Sequence, residues 1–458
     1  MPTSATARPA RPARTLPFHR IVPRLVRDPI AALVAMSAEA AGEIVRLDLG
    51  TFRPYLVTHP DHVQQVFRGN AMNYTREGVF WRPLHRLFGN GVLSDGPAWH
   101  TSRKVLQPVF TARNVDSLTG LMATTVAEAI DELVPASPAT IDAGDFMAHL
   151  VNRTVIAAFF DRRITDEESG RLIPAHDKIA LSIVSRLLLP LVPHQVPLPG
   201  DRAFHQAVRT FDSVMRPLVA RHPDAPPEGH DILAVLCRAR DASGGELGDQ
   251  WVRDNMVAMF AAGTETTSVA LTWLWPVLAE NPQIAARLHE EIDEVVGGGR
   301  VTPDHLPALR CTRMVVQELL RLYPVGWLLP RMVVADDVMD GVRLQAGANV
   351  LISPYLTHRL GEFWEDPLRF DPERFADPQA GTRHRYAYFP FGGGPHQCLG
   401  THVFEIEAQL IVAGLLSRFR PRLREGDRVT PRAAASLRTR GRVWMTLHRR
   451  DGGRRAAR

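Results

Sequence analysis

The feature that most constrains this 458-residue chain is one unbroken helical pattern, from about Asp249 to Glu280, that stops before Asn281-Pro282. A proline disfavours the α conformation in the residue before it, so Asn281 is a natural stop. Roughly 31 residues at about 1.5 Å rise give about 45 Å, enough to cross a whole globular domain. The flanking sequence supplies elements to enclose such a helix. From about 100 to 290 the pattern is helical, broken by Pro-rich stretches such as LPLVPHQVPLPG (189–200) and RHPDAPPEGH (221–230). A second helix, CTRMVVQELLRLY (311–323), ends at Pro324, and another spans about 399–419. Two short strands around a Gly-centred turn are expected in EIVRLDLGTFRPYLVTHP (43–60), and further strands in DGVRLQAGANVLIS (340–353). With no internal repeat and no clean linker, the expectation is one mainly α-helical domain with small β-sheets over 28–448. A disordered Pro/Arg-rich leader (1–27) precedes it and a basic tail (449–458) follows.

Composition narrows the function classes. At 45% apolar and 22% charged residues, the chain can bury a large core and is no disordered segment. Cys237, Cys311 and Cys398 lie far apart with no CxxC pair, which argues against a disulfide framework or zinc ribbon and for a reduced compartment. The net charge of +5 sits in the tails: 1–27 carries +6 and 449–458 carries +4, leaving −5 on the body. A nucleic-acid footprint on the body is not supported. No run of 18 apolar residues occurs and the leader lacks an apolar core, so a cytoplasmic protein with no membrane span is expected.

The chemistry concentrates in FGGGPHQCLG (391–400). Successive glycines, Gly392 among them, permit backbone conformations closed to other residues and close approach to a flat ligand. Cys398 stands where an amphipathic helix begins, and free N–H groups with positive partial charge there favour thiolate over thiol. Such a sulfur, held among backbone donors, suits axial ligation of haem iron. The segment resembles the signature of the cytochrome P450 family, F-x-x-G-x-[R/H]-x-C-x-G. Phe391, Gly394, His396, Cys398 and Gly400 fill it in register. The resemblance implies the mainly α P450 fold and haem b as cofactor. It makes Cys398 the metal ligand and puts His396 where the family usually has a propionate-binding arginine.

Three further patterns carry the resemblance. Glu318 and Arg321, at i,i+3 on one helix face, resemble the start of the family's Glu-Arg-Arg triad, with Arg374 of FDPERF (370–375) as its third member. Ala262-Gly263-Thr264-Glu265-Thr266 on the long helix resembles the family's A-G-x-[D/E]-T element. There Thr266 is implied as the oxygen-side alcohol and Glu265 as the adjacent acid, catalytic residues that relay protons. Thr267 is the fallback alcohol if the register slips by one, and Gly263 is a place where the helix opens beside the cofactor. Trp99 and Arg103, at i,i+4, resemble the family's W-x-x-x-R, and Arg331 stands where another propionate partner is common.

Fingerprints for nucleotide binding, metalloprotease or serine-hydrolase chemistry are missing. Only 60 residues follow Cys398, too few for a fused flavin domain, so electrons must come from outside. The resemblance implies an external ferredoxin and ferredoxin reductase, with O2 as co-substrate. Apolar and aromatic stretches point to a hydrophobic small molecule, with Phe80, Trp81, Ile183, Leu187, Ala262, Trp327 and Leu328 as candidate pocket residues. Motif order and the stretch around 197–207 look most like bacterial family members that oxidise terpenes. A fatty-acid or polyketide hydroxylase, a peroxide-driven enzyme and a non-catalytic haem sensor stay open as alternatives.

Overall fold

Short apolar strands and long apolar helices segregate along this chain into two sets of contacts. The computed structural model describes residues 10–179, 182, 183, 185, 186, 192, 193, 195–220, 231–239, 244–376, 381–424, 426 and 429–450. One unit comprises Met1–Trp81, Gly326–Arg369 and Gly381–Cys398; the other comprises Arg82–Val325, Phe370–Ala380 and Leu399–Arg458.

The first unit is organised by a six-stranded mixed sheet in the spatial order Arg14–Leu16, Val45–Leu47, Tyr55–Val57, Asn349–Ile352, Leu329–Val333, Tyr74–Thr75. The expected hairpin forms: Val45–Leu47 runs antiparallel to Tyr55–Val57, and Gly50 takes φ +86° in the turn between them. Glycine carries no penalty in that left-handed region. Alternation sets the burial, with Val45 and Leu47 inside and Arg46 partly exposed. Tyr55, Val57, Phe67, Val333, Val350, Tyr386 and Phe389 share one buried cluster, which ties the strands to the segment that leads into the cysteine loop.

The leader differs from expectation. Arg14–Leu16 pairs parallel with Val45–Leu47, and Phe18–Arg27 and Pro29–Ala40 are helices. Leu16 and Ile21 are buried, and Arg14 is engaged by Glu39 and Glu43 rather than solvated. Proline and arginine density hid this, because the apolar residues that anchor the segment are few and spaced singly. Residues 1–9 and 451–458 lie outside the described residues.

In the second unit the long helix spans Gly248–Glu280, 33 residues, close to the expected bounds. It is apolar on nearly every face and buried accordingly, as a helix enclosed by others must be. Ala143–Phe159 packs along it. Trp273 stacks on Tyr323, with ring centroids 4.3 Å apart, and its Nε1 donates to the Leu437 carbonyl at 2.8 Å. The other expected helices are Arg310–Leu322 and Thr401–Arg418. Phe419–Leu423, Trp444–Arg449 and Ala139–Asp142 form a three-stranded sheet, and Pro431–Ala433 pairs with Leu437–Thr439 in a hairpin.

Candidate functional site

The cysteine loop is built by backbone closure. Cys398 N–H donates to the Phe391 carbonyl at 3.0 Å, Gln397 N–H to Gly394 at 3.1 Å, and Gly392 N–H to Phe389 at 2.9 Å. Gly392 and Gly394 take φ +69° and +66°. A Cβ on Gly394 would collide with the Phe67 carbonyl oxygen, which is backbone and cannot swing aside. The loop therefore lies flat against the Phe67 turn, and Cys398 is left exposed at its end. Three residues on, Thr401–Arg418 begins with Gly400 as its N-cap.

Two arginines of the same unit brace this loop. Arg76 Nη2 donates to the His396 carbonyl at 2.9 Å, while its guanidinium lies 5.4 Å from the Trp81 ring. Arg331 is 4% exposed, with its guanidinium 5.2 Å from the Phe67 ring. The sequence singled out Arg331 and His396 but missed Arg76 and Phe67, whose partners lie hundreds of residues away. Trp81 Nε1 donates to the Pro330 carbonyl at 3.1 Å, and Phe80 packs edge-on against Phe52. Trp327 is buried, and its carbonyl accepts from Ser353 Oγ at 2.6 Å. Leu328 is half-buried beside it.

In the second unit Glu318 and Arg321 are wholly buried and bonded twice, Nε to Oε2 at 2.6 Å and Nη2 to Oε1 at 2.8 Å. Arg374 Nε stands 3.4 Å from Oε1, and the Asp371 amide donates to the same oxygen at 2.9 Å. The three residues named from sequence thus meet, and the carboxylate's acceptor sites are filled by a fork, a second cation and a backbone donor. Asp371 carried no sequence signal, since it contributes only its N–H.

On the long helix, Ala262 and Gly263 are half-buried and Thr266 is exposed, one face of an otherwise enclosed element. Thr266 Oγ1 donates to the Ala262 carbonyl at 2.7 Å. A Cβ on Gly263 would stand 3.3 Å from Val155 Cγ1, so this glycine also permits a close helix crossing. Thr267, the fallback alcohol, is buried on another face, where it acts on Glu407. Glu407, unmarked in the sequence reading, is fully buried on Thr401–Arg418. Burial pushes its pKa up to about 8, with the Thr267 hydroxyl opposing that shift.

The acid and the alcohol expected to act together are not in contact here. Glu265 Oε1 accepts from Ser436 Oγ at 2.7 Å and from Arg438 Nη2 at 2.6 Å and Nε at 3.2 Å. Adjacent helical residues project about 100° apart, which is why one faces the hairpin while its neighbour does not. Trp99 and Arg103 are half-buried on Gly96–Leu106, where Arg103 Nε donates to Gln107 Oε1 at 3.2 Å. Ile183 is buried, and Leu187 lies outside the described residues.

The cysteine loop fits a flat prosthetic group held through sulfur: its glycines leave space that any Cβ would fill, and the thiol is accessible. Comparison with known proteins agrees. Residues 10–442 match the family described as Cytochrome P450. The chain is 29% identical over 435 residues to pentalenene oxygenase of Streptomyces avermitilis, covering 94% of this chain and 95% of that one. It is 32% identical over 430 residues to cyclooctat-9-en-7-ol 5-monooxygenase of Streptomyces melanosporofaciens, covering 92% of each. The crystal structure of the cytochrome P450DA heme domain shares the fold, with a TM-score of 0.86, 21% identity and coverage of 97% of this chain and 99% of that one.

Proposed function

From the premise that the chain belongs to the cytochrome P450 family of haem monooxygenases, we propose that it oxidises a terpenoid with electrons from a ferredoxin and its reductase. The observation that carries this reading is the closed cysteine loop with an accessible Cys398, joined to extended likeness to enzymes named for terpenoid oxidation. Residues 28–448 are read as one working haem domain in the cytoplasm. Among the described residues no helix is long and apolar enough to cross a membrane.

Haem b, when bound, supplies the activation of dioxygen. In the reaction class, one oxygen atom enters a substrate C–H bond and the other leaves as water, with two electrons and two protons consumed. The chain's residues supply the rest. Cys398 presents the thiolate, and hydrogen bonding within 391–398 fixes its orientation. Arg331, Arg103, Trp99 and His396 are assigned to the propionates. Thr266 holds a proton at Oγ1 on the exposed face of the long helix, and Glu265 resupplies it. Phe80, Trp81, Ile183, Leu187, Ala262, Trp327 and Leu328 are assigned to the pocket that holds an apolar substrate and excludes water.

A spectral titration of the ferric protein with sesquiterpene and diterpene hydrocarbons, fatty acids and macrolides tests the substrate class. Terpenes are expected to displace water from the iron and, with ferredoxin, reductase and NADPH, to gain one oxygen atom. A response confined to fatty acids or macrolides overturns the terpenoid reading. Ligand binding with no turnover by any electron source overturns the enzymatic one.

A further inference from the structure

The second unit contains a polar cavity of about 240 Å³ that the reading above leaves unused. Glu265 lies on its wall beside Thr264, Ser268 and Thr272, a row of hydroxyls along the long helix. Each hydroxyl donates to a carbonyl one turn back, so each offers its remaining lone pairs outward. Across from them stands Asn152, 3% exposed, whose Nδ2 donates to the Ala148 carbonyl at 2.7 Å. Its Oδ1 is buried without a hydrogen-bond partner among the described residues. An acceptor in that state, on the wall of a cavity roomy enough for several waters, calls for water. The hairpin closes the cavity through Ser436 and Arg438, which hold the Glu265 carboxylate.

We propose that this cavity is the solvent side of the proton supply, and that Arg438 and Ser436 are positioning residues that hold Glu265 at its floor between deliveries. The inference rests on the reading of Glu265 as the acid that resupplies Thr266. Its carboxylate, 17% exposed, takes a proton from cavity water while paired with Arg438. Protonation neutralises the acid and weakens its hold on the guanidinium. The side chain then turns about its own rotamers toward the neighbouring hydroxyl, leaves the proton there, and returns as carboxylate. The proton originates in solvent and ends on the reacting oxygen, and no oxidant or reductant is needed beyond those of the reaction. The other charged groups facing the cavity are Asp142 and Asp145, which pair with Arg442, and Arg432 on the hairpin.

The test uses the haem-loaded enzyme with substrate, ferredoxin, reductase and NADPH, and reads product per electron pair, its pH profile and its solvent isotope effect. Glu265→Gln first tests the underlying reading, and unchanged coupling in that variant overturns the acid itself. With that reading standing, Arg438→Met removes the stabilising cation. It is expected to leave the substrate-induced spectral shift intact and to move the pH dependence of coupling upward by about 1 unit, since a carboxylate loses its charge more readily without a neighbouring cation. Arg438→Lys keeps the charge and is expected to restore most of the profile. Ser436→Ala and Asn152→Leu are expected to raise the solvent isotope effect without altering haem content, which guards against misfolding of the arginine variants. A profile for Arg438→Met that superposes on wild type, or isotope effects unchanged in both Ser436→Ala and Asn152→Leu, overturns the proposal while leaving Glu265 as the acid.

Discussion

Replacing Glu318 with glutamine isolates the energetics of the buried triad. Gln is nearly the same shape, so packing is conserved while the charge is removed. In the wild type, Glu318 and Arg321 are both completely buried and bonded at 2.6 and 2.8 Å, with Arg374 at 3.4 Å and the Asp371 amide at 2.9 Å on the same carboxylate. Glu318→Gln turns one acceptor oxygen into an NH2 aimed at the guanidinium and leaves Arg321 charged with no route to water. Breaking a buried pair from one side costs about 3–5 kcal/mol, because the surviving charge keeps its desolvation penalty. That is a large fraction of the roughly 5–15 kcal/mol by which folded domains are stable. Urea unfolding of the haem-loaded protein reads the cost as a lowered midpoint at constant slope. Two comparisons separate this cause from a general weakening. Glu132→Gln breaks the Arg153–Glu132 pair, whose carboxylate is 59% exposed, and should cost under about 1 kcal/mol. Glu318→Leu combined with Arg321→Met removes both buried charges and should cost less than Glu318→Gln alone. A loss under about 1 kcal/mol for Glu318→Gln, or a double variant weaker than the single one, refutes the argument from buried charge.

Gly394→Ala sets a Cβ against the Phe67 carbonyl at φ +66°, so the loop must shift; haem content per chain should fall sharply, and wild-type content contradicts the close approach. Glu407, with its pKa raised to about 8, holds a proton in the folded state at pH values where the unfolded chain has lost it. Stability should therefore decline as pH rises from about 4.5 toward 8, by on the order of a few kcal/mol, and Glu407→Gln should flatten that slope; parallel slopes contradict it. Thr266→Ala should leave substrate binding unchanged and lower product per electron pair, and unchanged coupling removes Thr266 from the proton path.

How much of this was legible in the sequence depended on the range of the physical constraint. The long helix could be read to within a residue because apolar content and the stop at Asn281-Pro282 are local. The glycines of 391–400 were legible for the same reason: positive φ and a missing Cβ are properties of single residues. Glu318–Arg321 is an i,i+3 pair, and Arg374 follows in a recognisable segment. Partners that meet only through tertiary folding left no mark. Arg76 reaches the His396 carbonyl across 320 positions, and Arg438 reaches Glu265 across 173. Both arginines resemble any surface cation in the sequence. Glu407 sits in an apolar helix where a lone acid reads as an exposed residue, and only packing reveals its burial. The turn of Glu265 toward the hairpin was likewise invisible, since A-G-T-E-T fixes spacing along a helix and not what each face meets.

The most direct test is the carbon monoxide difference spectrum of the reduced protein, taken side by side on wild type and Cys398→Ala. The account predicts the red-shifted band of thiolate-ligated haem in the wild type and its loss in the variant. An imidazole-type band in the wild type, or a thiolate band that survives in Cys398→Ala, contradicts the assignment of Cys398 as the ligand.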